Sequence, residues 1–321
     1  MFKKIPQTLI HFFEVDPQDK KLITKVFPEA KIHKDPLTPK NIPKDAEIIC
    51  VMINSELTAK NLKKIPNLKL IVTRTVGYNH IDLKYAKAQN IPVVNVPDYG
   101  SHVIAEHVFA LLLASVRNVL EGEEHTNKCK FCWKGFRGMA LKGKTIGVVG
   151  TGKIGAHVCR IASQGFLMNV IAYDKYPNKR LARKYKFKYV DSLNDIWKKA
   201  DVISLHVPLF KETEHMINAK TIKKMKDGVV LINTARGGLI DTPALIKAIK
   251  KHKFKDVALD VIEHEDNLKK SRQLLTLPGV IITPHIAFYA DDSMNKMYEE
   301  SINSIQRFIK KKKLIHQVEG E

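Results

Sequence analysis

The chain has 321 residues and a hydrophobic content of 44%, enough for two domains that each bury a core. Its net charge of +21 comes from lysines scattered through nearly every element, which describes a solvated surface; no nucleic-acid partner is expected. No apolar run approaches the roughly 18 residues of a membrane span, and Pro6, Gln7, His11 and Glu14 break any signal-peptide core, so a cytoplasmic protein without a membrane partner is expected.

The first elements alternate. Residues 47–53 read as a buried strand, 58–64 as a helix, 69–73 as a strand, 82–89 as a helix and 92–95 as a strand. Short apolar runs separated by helical patterns predict parallel β-α-β units. A helix over 103–120 follows, with Val103, Ile104, Val108, Phe109, Leu111, Leu112, Leu113 and Val116 spread over more than one face. Such a helix is buried, against another domain or another subunit. A polar stretch, 121–130, leads into a second series of strands at 144–149, 169–173, 202–206, 229–233, 257–259 and 280–282. These make one doubly wound sheet. The last helix, 293–310, begins after that sheet ends and is expected to return to the first domain. The fold class is therefore α/β, with two Rossmann-like parallel-sheet domains, the first discontinuous: 1–101 with 291–321, and 102–290.

Four cysteines fit a reducing compartment. Cys50 and Cys159 lie in apolar stretches and read as core thiols. Cys129 and Cys132 form a C-x-x-C with His125 nearby, but a tetrahedral zinc site wants a second pair, so no metal is expected.

The strongest local signal is Gly150-Thr151-Gly152-Lys153-Ile154-Gly155. It follows an apolar strand and opens a helix. Nineteen positions beyond its last glycine (174 − 155) stands Asp174, at the end of the next strand. Gly150 permits a tight turn, Gly152 lets a pyrophosphate approach the backbone, and Gly155 lets helix and strand pack closely. The helix N-terminus offers free N–H groups to phosphate. Asp174 can accept from ribose hydroxyls and repels a 2′-phosphate, which favours NAD over NADP, although Lys175 and Lys179 stand close by.

Three ionisable residues follow strands of the same sheet: Arg236 after 229–233, Glu265 beyond the strand ending near Asp260, and His285 after 280–282. Ligands bind at the carboxyl ends of such strands, so all three are expected to face one crevice. A histidine can protonate a developing alkoxide near neutral pH, a carboxylate on its other nitrogen fixes the tautomer, and an arginine grips a carboxylate with its planar fork. His206, at the end of 202–206, is a cofactor-side candidate. His80, His102 and His107 rank below His285, because none has an evident carboxylate partner.

The chain resembles the D-isomer-specific 2-hydroxyacid dehydrogenases over nearly its whole length. The likeness rests on Arg74-Thr75-Val76-Gly77-Tyr78-Asn79-His80-Ile81-Asp82, Asn95-Val96-Pro97, Ala105-Glu106-His107, the glycine motif, His206-Val207-Pro208-Leu209, Asn233-Thr234-Ala235-Arg236-Gly237-Gly238, Ala258-Leu259-Asp260-Val261 and Thr283-Pro284-His285. The resemblance implies catalytic roles for Arg236, Glu265 and His285. It implies cofactor contacts at Lys153, Ile154, Asp174, Val207, Pro208, Thr213, Thr234, Ala235 and Asp260. It further implies that the N–H groups of Val76 and Gly77 bind the carboxylate of a small 2-keto or 2-hydroxy acid. A homodimer would form about the helix starting near Val103.

Within the family, His285-Ile286-Ala287-Phe288-Tyr289 and Tyr99 resemble the D-lactate dehydrogenase branch, with Phe288 walling the pocket and Tyr99 reaching the substrate. Met52 departs from a tyrosine frequent in that branch and leaves the preferred keto acid open. Glyoxylate or hydroxypyruvate reductase is the alternative within the enzymes. A non-enzymatic, NAD-sensing corepressor-like protein is the alternative outside them. No regulatory domain follows the last helix, which argues against the longer phosphoglycerate dehydrogenases.

Overall fold

The computed structural model describes residues 8–128, 130–265 and 267–318. The chain divides into two compact units, Met1–Tyr99 with Ala290–Glu321, and Gly100–Tyr289.

The first unit holds a parallel sheet of β1 (Ile10–Phe12), β2 (Lys31–Ile32), β3 (Ile48–Val51), β4 (Leu70–Thr73) and β5 (Val93–Val94), in the order β2-β1-β3-β4-β5. The chain moves outward from β1 to β2, then starts again on the other side of β1 with β3. That reversal opens a crevice at the carboxyl ends of β1 and β3. Ile48–Val51 and Leu70–Thr73 are buried at every position, as strands covered on both faces must be. Side-chain caps start the short helices: Thr58 accepts from Asn61 N–H before Ala59–Leu62, and Asp82 accepts from Tyr85 N–H before Leu83–Ala88. The last helix, Asp291–Ile309, packs on β4 through a stripe that includes Met294, Met297, Tyr298, Ser301 and Ile305. β1 and β2 were not expected from the sequence. β1 is only three residues long and β2 two, too short to display a period.

The second unit is a seven-stranded parallel sheet. Its strands are β6 (Thr145–Val149), β7 (Asn169–Tyr173), β8 (Lys188–Tyr189), β9 (Val202–Leu205), β10 (Val229–Asn233), β11 (Phe254–Leu259) and β12 (Val280–Ile282). The order is β12-β11-β10-β9-β6-β7-β8, with the chain reversing between β6 and β9. β9 and β10 are buried throughout; each fully buried Val, Leu or Ile stabilises by roughly 1.5–3 kcal/mol.

The helix expected over 103–120 is Ser101–Val116, packed on β10 and β11. Asn118, in the left-handed region at φ 52°, ends it. A second helix, Val119–Asn127, then departs at 57°. None of its residues is buried, so it carries no apolar stripe and its sequence reads as a polar connection. After it, Phe131 and Trp133 stand 98% and 83% exposed. The chain comes back to the helix end where Met139 N–H donates to the Val116 carbonyl at 2.8 Å. Among the described residues no single helix is long and apolar enough to cross a membrane. Cys50 and Cys159 are buried free thiols and Cys132 is exposed; Cys129 and Asp266 lie outside the described residues.

Candidate active site

The glycine motif joins β6 to the helix Lys153–Arg160. Gly150 has φ +91°, and a Cβ there would come within 2.8 Å of the His206 carbonyl. Here the loops after β6 and β9 touch at the point where the strand order reverses. A Cβ on Gly155 would lie 2.0 Å from the Gly150 carbonyl oxygen, so only glycine allows the helix to start so close to the turn. At Gly152 a Cβ would meet nothing within 4 Å. The backbone there borders open space at the start of a helix, which fits a pyrophosphate.

Asp174 Oδ2 accepts from the Thr151 N–H at 2.6 Å and the Thr151 hydroxyl at 2.9 Å, while Oδ1 accepts from Tyr176 N–H at 2.8 Å. The carboxylate thus ties the end of β7 to the glycine turn, and Oδ1, with one bond, can accept another. Beside it lies a depression of about 850 Å³ lined by Tyr173, Asp174, Lys175, Lys179 and Tyr189 among others, room enough for an adenosine. On the other side of the reversal, the buried Thr234 hydroxyl has no hydrogen-bond partner. An orphaned polar atom at the carboxyl end of the same sheet, two strands from the cradle, is what a polar ligand would satisfy. Glycine cradle, depression and orphan hydroxyl together fit a dinucleotide. Lys153 is exposed, Ile154, Val207 and Ala235 are half-buried, and Pro208 is exposed. The Thr213 hydroxyl donates to the Pro208 carbonyl at 2.7 Å and accepts from Phe210 N–H at 2.8 Å, which shapes this loop. His206 Nε2 lies 2.8 Å from the Ser204 hydroxyl, and burial pushes the imidazole down to about 3, so it is neutral at ordinary pH.

β10, β11 and β12 are neighbours, and their carboxyl ends carry the ionisable trio. Buried Asn233 ends β10 and clamps the next turn: its Oδ1 accepts from Ala235 N–H at 3.0 Å and its Nδ2 donates to the Arg236 carbonyl at 2.8 Å. Arg236 is half-buried, with Nη1 donating to the Ala235 carbonyl at 2.7 Å. His285 Nδ1 lies 2.9 Å from Glu265 Oε2. A carboxylate only accepts, so Nδ1 carries the proton and Nε2 is left for chemistry. The Phe288 ring stands edge-on to His285, centroids 6.3 Å apart.

His285 sits at φ 57°, a conformation that costs a residue other than glycine roughly 1–2 kcal/mol. Asp260 holds it there. The Asp260 carbonyl accepts from His285 N–H at 2.9 Å, and its carboxylate accepts from the Thr283 hydroxyl at 2.5 Å, Ile286 N–H at 2.9 Å and Ala287 N–H at 2.9 Å. His107, on the helix Ser101–Val116, approaches Asp260 Oδ1 to 3.6 Å and the Thr283 hydroxyl to 3.2 Å. Burial alone would raise the Asp260 carboxyl, but these donors outweigh it and hold it below the usual carboxylate range. The side chain is fully buried and spends its oxygens on the His285 loop. The family resemblance implies a cofactor contact for Asp260, and His107 ranks below His285 for want of a carboxylate partner; the structure brings the two together. The signal that could have paired them is Thr283, adjacent to Pro284-His285.

A model of the D-isomer specific 2-hydroxyacid dehydrogenase NAD-binding domain matches residues 109–287. The chain belongs to the D-isomer specific 2-hydroxyacid dehydrogenase family. It is an NAD-dependent oxidoreductase acting on the CH–OH group of 2-hydroxy acids. A D-lactate dehydrogenase from Aquifex aeolicus, solved with NAD and lactic acid, superposes with a TM-score of 0.86 at 39% identity, covering 94% of this chain and 96% of that one. A 2-hydroxyacid dehydrogenase homolog from Schizosaccharomyces pombe is 34% identical over 93% of this chain and 96% of its own. An aromatic 2-oxoacid reductase from Clostridium sporogenes is 34% identical over 84% of each chain.

The residues expected at the substrate in the first unit follow its strands. Val76 and Gly77 come after β4, Val76 being 44% exposed, and Tyr99 comes after β5 and is buried. Behind β4, Arg74 is fully buried, donating from Nη2 to the carbonyls of Phe13 at 2.6 Å and Glu14 at 2.8 Å, with its guanidinium 4.9 Å from the centre of the Tyr298 ring. Glu14 in turn accepts from the N–H groups of Met52 and Asn54, both at 3.0 Å. The crevice of β1 and β3 is thereby tied to the start of the Thr75–Gly77 turn.

Proposed function

We propose that the protein reduces pyruvate or a comparably small 2-keto acid to the D-2-hydroxy acid. The observation that carries this reading is the His285–Glu265 pair at 2.9 Å, which joins the ends of β12 and β11, with β10 and its Arg236 next to β11. Bound NADH supplies hydride from its nicotinamide. Arg236 grips the substrate carboxylate and polarises the keto oxygen. His285 gives its Nε2 proton to the alkoxide oxygen as that oxygen develops charge, while Glu265 holds the ring in place through Nδ1. Gly150, Gly152, Gly155, Asp174 and Thr234 hold the dinucleotide. Val76 and Gly77 N–H groups and Tyr99 contact the acid, on the strength of family membership.

Phe288 beside His285 supports a small side chain on the substrate, and the Aquifex aeolicus structure with lactic acid supports lactate. We also read the protein as a homodimer of the cytoplasm. Phe131 and Trp133, with Val119 and Leu120 both more than half exposed, supply apolar surface for a second copy to cover, and free thiols suit a reducing compartment.

The test is NADH oxidation, followed by absorbance, with pyruvate, 2-ketobutyrate, glyoxylate, hydroxypyruvate and phenylpyruvate. The highest kcat/KM with pyruvate is expected. Preference for phenylpyruvate would overturn the small-pocket reading, and turnover of none despite NADH binding would overturn the proposed reaction on these acids.

A further inference from the structure

The loops after β9, β10 and β11 are fastened together by groups that the proposed chemistry does not use. His215 closes the loop after β9 at φ 48°, and its N–H donates to the Gly238 carbonyl at 2.9 Å. Its Nε2 lies 2.7 Å from Glu263 Oε1. The other oxygen, Glu263 Oε2, accepts from Thr242 N–H at 3.1 Å, and the Glu263 carbonyl accepts from the hydroxyl of buried Ser271 at 2.9 Å. One carboxylate therefore bonds groups that follow β9 and β10 while belonging to the segment that follows β11.

Backbone packing repeats the pattern. A Cβ on Gly237 would lie 2.0 Å from the Ile262 carbonyl, and one on Gly238 would lie 2.9 Å from Leu209 Cδ2. The turn that carries Arg236 is wedged between the loop after β9 and the segment 262–263. Removing either side chain of the pair breaks the bond that ties the two sides of that wedge to each other. The hydrogen bond from His215, outweighing burial, draws the imidazole above its ordinary range, and Glu263 is held below its own because the bonds from Thr242 and His215 outweigh its burial. At neutral pH the contact is therefore charge-assisted, the stronger class of hydrogen bond.

We propose that His215 and Glu263 are positioning residues for the reaction, a brace that sets Arg236 and Glu265 in their working places from outside the site. This rests on the reading of Arg236 and Glu265 as catalytic. Glu265 stands two residues beyond Glu263, and Arg236 precedes the wedged Gly237 directly. Freeing Glu263 from His215 loosens both at once, while the strands beneath are unaffected.

Two readouts test it. The first is amide hydrogen exchange on the protein without NAD or substrate, comparing wild type with His215→Ala. Faster exchange at 236–242 and at 263–265, with β10 unchanged, is expected; unchanged exchange in both segments overturns the brace. This readout holds whatever the wild type turns over, so failure of the proposed reaction is seen separately, as wild-type inactivity on the acids above. The second is steady-state kinetics. In His215→Ala a rise in keto-acid KM on the order of tenfold or more is expected from a misplaced Arg236, largely reversed in His215→Gln, whose amide can still donate to Glu263. Equal impairment in the Gln and Ala variants overturns the assignment of the hydrogen bond. Should His215→Ala not fold, Glu263→Gln is measured by both methods against the same criteria.

Discussion

Replacing Asp260 by Asn changes one atom, and its cost can be worked from the hydrogen bonds. Asp260 Oδ1 accepts from Thr283 and Ile286, and Oδ2 from Ala287. If the amide nitrogen takes the Oδ2 position, two donors face each other and the Ala287 N–H loses its acceptor. If it takes the Oδ1 position, Thr283 and Ile286 lose theirs. Each unsatisfied buried donor costs about 1–3 kcal/mol, and the cheaper arrangement leaves two of them, so about 2–6 kcal/mol is lost. The assay is urea unfolding followed by fluorescence of Trp197, which is 1% exposed in the same unit. With a slope of roughly 2–3 kcal/mol per molar urea, the midpoint falls by on the order of 1 M. His285 loses the clamp on its left-handed backbone in the same variant, so kcat falls with stability. A midpoint within about 0.2 M of wild type, where less than roughly 0.5 kcal/mol is lost, would refute the claim that this carboxylate holds the loop.

Gly152→Ala should leave folding unchanged, since the added methyl meets nothing within 4 Å, yet weaken NADH binding in a fluorescence titration; unchanged affinity would place the pyrophosphate elsewhere. His285→Ala should abolish keto-acid reduction with NADH affinity retained, checked by the same titration; turnover near wild type would remove His285 from the chemistry. Asp174→Ala should narrow the gap between NADH and NADPH, read as the ratio of kcat/KM values, and a ratio that does not move would show that Asp174 does not select. In the first unit, buried His11 is pushed down to about 4 by burial, its Nδ1 lying 3.0 Å from His33 Nε2. The unfolded chain binds more protons between about pH 6.5 and pH 4, so the contribution is complete above 6.5 and lost as pH falls toward 4, on the order of 3 kcal/mol in all. His11→Phe should flatten the fall of the urea midpoint over that window, and an equal slope in both proteins would refute this.

The elements that sequence shows well are those with continuous apolar runs and punctuation. β7, β10 and β12 occupy the residues expected, 169–173, 229–233 and 280–282, because each is a Val/Ile-rich run bounded by turn residues. β11 begins three residues before its expected start, since Phe254–Asp256 alternates in polarity and looks like a loop. Placement at strand ends brought Arg236, Glu265 and His285 forward as a group, because parallel strands deliver their carboxyl ends to one edge. Pairing was not legible. Glu263 and Glu265 stand in one acidic run, yet one bonds His215, 48 residues earlier, and the other His285, 20 residues later. Only the order and register of the strands from β9 to β12 decide which partner each meets. The role of Asp260 was hidden for the same reason: its partners Thr283, Ile286 and Ala287 belong to the next crossover.

The buried Arg74 has a consequence for the order in which the chain matures during synthesis. Its guanidinium is covered by Tyr298, on the helix Asp291–Ile309, while Gly100–Tyr289 contains every strand of the second sheet. The second unit can thus complete its core while Arg74 and the inner face of β4 still wait for a helix not yet made. The first unit to leave the ribosome is the last to close. A slow or stalled synthesis past residue 289 would leave the β4 face open to chaperones and proteases after the second unit has folded.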